Sequence, residues 1–258
     1  MAETRKISAA LTQRALRTIT VGGALLASTA LVGCSSILHP PLSAPAQPDV
    51  PPISIPAPRA TPSGPPTGTV IMIIRHGEKP DEDVSPLPGI NDQGQPDDSS
   101  LTSVGWDRAR KLVDLFDPSR GDVKPGLARP KVIYAAKATD EGAGQRTRET
   151  VAPLAQKMGT PVNLNYGKGQ EEQLVRDAMK QTGPVLISWQ HGEIPAITEA
   201  LGPITPTPPQ EWPDQRFDMV WTLTKTDAGW NFAQVPEMVL PGDQVAPFTG
   251  DNSDGNPD

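Results

Sequence analysis

The sequence encodes an α/β domain whose central sheet is largely parallel and flanked by helices on both faces. Three observations predict this. Short apolar runs rich in β-branched residues alternate with stretches that carry apolar residues at helical spacing. Strands separated by helices are joined by crossovers, which favour parallel neighbours. The first strand candidate is apolar at successive rather than alternate positions, as a strand buried on both faces must be.

The elements follow in order. Residues 70–74, Val-Ile-Met-Ile-Ile, form the first strand candidate. Residues 102–116 place Val104, Ala109, Leu112, Val113 and Phe116 at helical spacing, and 131–135 form a second buried strand. Residues 145–158 read as a helix through Val151, Leu154, Ala155 and Met158, and 171–181 as a third helix. Residues 185–189 form a strand, and 194–201 a short helix closed by Gly202. Residues 217–224 and 230–235 predict a closing hairpin, with Asp227, Ala228 and Gly229 near its turn. Trp106, Trp189, Trp221 and Trp230 lie on these periodic elements and are expected in the core. Trp212 lies in a proline-rich loop, 203–213, and is a candidate to border a pocket.

Composition divides the chain. Of 31 prolines, many fall between residues 39 and 66. That stretch can neither pair in a sheet nor continue a helix, so 34–68 is expected to be an extended tether. Before it, a basic segment with Arg14 and Arg17 precedes an apolar run from Ile19 to Val32, shorter than the ~20 residues a membrane span needs but suited to an export signal. The run ends Leu31-Val32-Gly33-Cys34, which resembles a bacterial lipobox, with Cys34 as the lipidated residue that anchors the exported chain in a membrane of the cell envelope, facing outside the cytoplasm. Residues 1–33 are thus expected to be a lipoprotein signal peptide, 69–241 one folded domain, and 242–258, polar and acidic, a disordered tail. The net charge of -7 argues against nucleic acid as a partner. A sole cysteine rules out an internal disulfide.

The first strand runs directly into Arg75-His76-Gly77-Glu78, and the strand at 185–189 into Gln190-His191-Gly192-Glu193. Ligands of α/β sheets gather beyond the carboxyl ends of strands, where both tetrapeptides fall. Arginine offers a charged planar fork that matches phosphate oxygens, a neutral imidazole can attack phosphorus, and glycine permits close backbone approach. A third group, Gln145-Arg146-Thr147-Arg148-Glu149-Thr150, opens a helix, where anions already tend to bind.

Arg75-His76-Gly77 after a strand resembles the signature of the histidine phosphatase superfamily, which includes the phosphoglycerate mutases. Leu101-Thr102-Ser103-Val104-Gly105 followed by Arg108-Ala109, Arg146 four residues before Thr150, and His191 after a strand resemble that family's later motifs in the expected order. The resemblance implies a phosphoglycerate mutase-like fold, in which Arg75, Arg146 and His191 hold a phosphoryl group around His76. It also implies hydrolysis of a small phosphomonoester through a phosphohistidine on His76, without metal or other cofactor. Arg148 is the competitor of Arg146. A carboxyl group is expected as general acid; Glu193 is favoured, with Glu171 and Glu78 as alternatives. A phosphomutase and an inactive phospho-ligand binder of the same fold are the rival expectations. The acidic loop 80–100, directly after the nucleophile, is expected to form a rim or lid unless it is disordered.

Overall fold

A computed structural model describes residues 68–81, 87–140 and 142–249. The expected signal peptide, Cys34, nearly all of the expected tether and the last residues of the tail lie outside the described residues. The described residues build a mixed sheet of seven strands, in the order β3-β2-β4-β1-β6-β7-β5. These are β1 (Val70–Arg75), β2 (Val132–Ala135), β3 (Val162–Asn163), β4 (Val185–Trp189), β5 (Ile204–Thr205), β6 (Met219–Thr226) and β7 (Gly229–Pro236). The helices are α1 (Ser103–Phe116), α2 (Gln145–Met158), α3 (Glu171–Ala178) and α4 (Ile194–Leu201).

Strand β1 lies at the centre, parallel to β4 and antiparallel to β6. Its continuous apolar run is explained by burial on both faces. Met72 and Ile74 pack with Leu112 and Phe116 of α1 and Val151 and Leu154 of α2. Ile71 and Ile73 pack with Leu174 and Val175 of α3 and Ile194 and Ile197 of α4 on the other face. All four strand residues are fully buried, each contributing about 1.5–3 kcal/mol. The expected strands, helices and closing hairpin are all present; β3 and β5, two residues each, are additions.

The register puts the carboxyl ends of β1, β2 and β4 at one edge, since Arg75 faces Trp189 and Ala135 faces Ser188. Because β6 runs antiparallel to β1, its amino end arrives at that same edge, with Val220 opposite Ile74. The loop before β6 is therefore delivered to the ends of the parallel strands.

The folded domain extends past residue 241. Residues 242–249 do not form part of a disordered tail but pack on the domain. Asp243 bonds Arg108, the backbone N–H groups of Val239 and Leu240 donate to the Asp243 carboxylate, and Phe248 is buried against Trp212 and Trp221. The polar, glycine-bearing composition masked one acid with a buried partner and one aromatic anchor. Trp212 likewise belongs to this core: its ring stacks on Trp221 and its Nε1 donates to the Arg216 carbonyl at 2.7 Å.

Candidate active site

The turn after β1 begins with His76, whose backbone N–H donates to Trp189 O at 3.2 Å and so ties it to β4. Its imidazole Nδ1 lies 2.7 Å from Gly77 O. A carbonyl can only accept, so Nδ1 carries the proton and Nε2 keeps its lone pair. Burial, then the charges of Arg75 and Arg146 and the proximity of His191, push the His76 pKa well below its ordinary value. At neutral pH the ring is uncharged and nucleophilic at Nε2.

The turn is held by close backbone contact. A Cβ on Gly105 would come within 2.5 Å of Glu78 O, and one on Gly77 within 3.0 Å of Gly105 O. The glycines in both sequence motifs thus serve the crossing of the nucleophile turn over α1. Thr102 caps that helix, accepting from Gly105 N and donating to Glu78 O. From α2, Thr150 Oγ1 accepts the Gly77 N–H at 2.8 Å.

Arg75 is almost fully buried, with its guanidinium 4.0 Å above the Phe217 ring. Its Nη1 donates to the carbonyls of Pro213 (3.1 Å), Asp214 (2.5 Å) and Arg216 (3.3 Å). Its Nε and Nη2 are buried with no hydrogen-bond partner among the described residues. Burial pulls its pKa down to about 10, against Asp214, Glu78 and Asp81, so it stays charged at neutral pH. A buried cation with two idle donors fits a bidentate oxyanion.

Arg146 opens α2 half-buried, whereas Arg148 is exposed. Arg146 Nη2 donates to Asp98 O at 2.6 Å and Nε to Ser100 O at 3.3 Å. The described part of the expected rim, 87–100, is thus ordered, and it steadies Arg146. Buried Glu149 pins the same segment, accepting from Ser100 Oγ and Leu101 N.

His191 follows β4. Its ring centre lies 6.4 Å from that of His76, near enough for both to touch one tetrahedral group. Burial, then Arg75, lower its pKa against the pull of Asp214. Its Nε2 is 2.7 Å from Asp214 Oδ1. Arg75, His76 and His191 therefore meet at the carboxyl ends of β1 and β4, and the Arg146 charge lies near enough to act on His76.

The carboxylates distribute otherwise. Glu193 Oε1 is engaged by Lys168 Nζ at 2.5 Å. Glu171 is a buried acceptor for Trp189 Nε1 at 3.1 Å and Gly169 N at 3.0 Å. Glu78 is bound to Arg108 at 2.8 Å. Arg108, nearly buried, also reaches Glu237 at 2.6 Å and Asp243 at 2.8 Å. Among the described residues no group of His, Cys, Asp and Glu is arranged to hold a metal ion. Sequence reasoning missed Asp214, Phe217 and Glu149 as site neighbours. The antiparallel run of β6 is what brings the first two, and only spatial pairing shows it.

No family model and no curated protein matches the chain. Solved structures do. A mycobacterial glucosyl-3-phosphoglycerate phosphatase is 14% identical, with 64% of this chain and 97% of that one covered at a TM-score of 0.42. The ecdysone phosphate phosphatase of Bombix mori is 15% identical, covering 74% and 98% at a TM-score of 0.40. YhfR of Bacillus stearothermophilus is 14% identical, covering 64% and 95% at a TM-score of 0.37.

Proposed function

We propose that the chain is a phosphatase of the histidine phosphatase type, hydrolysing a small phosphomonoester through a phosphohistidine on His76. The observation that carries this is the neutral imidazole of His76, its proton fixed on Nδ1, beside the idle donors of Arg75. His76 Nε2 attacks phosphorus while Arg75, Arg146 and His191 bear the charge on the phosphoryl oxygens. Water then releases phosphate from His76. Positioning and charge stabilisation supply the rate, and these residues require no bound metal to do so.

The test is direct. The full chain should hydrolyse para-nitrophenyl phosphate in the presence of a chelator, with inorganic phosphate inhibiting competitively. Phosphate binding without hydrolysis would instead mark a phospho-ligand-binding protein, and activity restored only by added metal would contradict the mechanism.

The proposal extends to location: an exported protein held at a membrane through lipid on Cys34. Cys34→Ser should move the protein from the membrane fraction to the soluble one; unchanged fractionation would contradict the anchor.

A further inference from the structure

Departure of an alkoxide from phosphorus needs a proton, and the acids named by sequence are engaged elsewhere. Glu193 is paired with Lys168, Glu78 with Arg108, and Glu171 accepts from the Trp189 indole. Asp81, after the nucleophile, pairs with Lys79 at 3.3 Å. Asp214 differs. Its Oδ1 meets His191 Nε2 at 2.7 Å, so the carboxyl touches one of the groups expected to hold the phosphoryl oxygens. Its own carbonyl is bound by Arg75 Nη1, and the Pro213 and Arg216 carbonyls are held by that same nitrogen. The arginine that would bind phosphate through Nε and Nη2 therefore also fixes the acid's backbone.

Depth orders these groups. Arg75 and His76 are 1% and 4% exposed, the His191 side chain 30% and the Asp214 side chain 80%. Attack by His76 from the floor of the site expels the leaving oxygen in line, away from the floor and toward solvent. Asp214 stands on that outer side.

Resting on the phosphatase reading above, we propose that Asp214 is the general acid, delivering the proton it shares with His191 to the leaving oxygen. In the first step a bond forms between His76 Nε2 and phosphorus while the ester P–O bond breaks. One proton lies between Asp214 Oδ1 and His191 Nε2, and a second on His191 Nδ1, which has no other partner among the described residues. The leaving oxygen takes the first through the Asp214 carboxyl and departs as the alcohol, leaving a neutral His191 beside a carboxylate. In the second step water attacks phosphorus and the N–P bond breaks. The proton lost by water returns to the Asp214 carboxylate, which leaves phosphate and the original enzyme.

The test compares leaving groups in the full chain. Para-nitrophenolate departs without a proton, whereas an alkoxide does not. Asp214→Asn keeps the backbone carbonyls on Arg75 and a polar group beside His191. It should lower kcat/KM for an alkyl phosphate by about 100-fold or more, and for para-nitrophenyl phosphate by less than about tenfold. Glu193→Gln should show no such selectivity. Equal losses on both substrates in Asp214→Asn, or none on the alkyl ester, would overturn the donor. So would a selective loss in Glu193→Gln. A wild-type chain that turns over neither ester would defeat the phosphatase reading itself, and the donor with it.

Discussion

His76→Ala is expected to lower phosphomonoester hydrolysis by about 10⁴-fold or more, to the background rate, with the far-UV circular dichroism unchanged. The size of the effect follows from covalent catalysis: without Nε2 no nitrogen at the floor of the site can take the phosphoryl group, and the two easier steps revert to one difficult step. Arg75, Arg146 and His191 remain, so phosphate binding should persist while turnover does not. Folding should tolerate the change because the ring's own hydrogen bond is to the adjacent Gly77 carbonyl, not to a distant element. Retained hydrolysis in a folded variant would reject His76 as nucleophile.

The second large effect concerns stability. Arg108 is the cation among Glu78, Glu237 and Asp243, and it joins the nucleophile turn, α1 and the C-terminal segment. Removing one partner of a buried ionic cluster leaves uncompensated charge, so Arg108→Ala should cost about 3–5 kcal/mol at alkaline pH, read from urea denaturation. The loss should be smaller near pH 5, where the carboxyls can take up protons. A change within about 1 kcal/mol at both pH values would show that the cluster does not hold the fold.

The same cluster sets a pH dependence. Burial pushes the Glu237 carboxyl up to about 8, with Asp243 and Glu78 adding to the rise against Arg108. An unfolded glutamate releases its proton near 4.5, so between about pH 5 and 8 the native state binds the extra proton. Stability should therefore fall as pH rises through that window and level off above it. Glu237→Gln, neutral throughout, should flatten the curve.

Most of the fold was legible because its central strands are buried on both faces, as the unbroken run from Val70 to Ile74 announces. The two-residue strands β3 and β5 carry too few residues for any period to register. The four proposed phosphate-site residues could be named because each stands beside a strand end or helix start. The structure brings Arg75, His76 and His191 together, with the Arg146 charge near enough to act on His76. The partners of the acids were not legible. Glu193 lies two residues from His191, yet its ion pair is with Lys168, and Asp214 is 23 positions downstream of His191 but in hydrogen-bonding contact with it. Sequence distance carries no record of the antiparallel return of β6. The end of the domain was misplaced for a similar reason, since the value of Asp243 and Phe248 depends on Arg108, Trp212 and Trp221, far back in the chain.

Attack by His76 is tested by a rapid quench of the full chain turning over para-nitrophenyl phosphate, followed by mass spectrometry of its peptides under alkaline conditions that preserve phosphoramidates. One phosphoryl group on the peptide containing His76, absent after acid treatment and absent from His76→Ala, is the predicted result. Turnover with no phosphoryl group on that peptide, or with the group on His191, would contradict attack by His76.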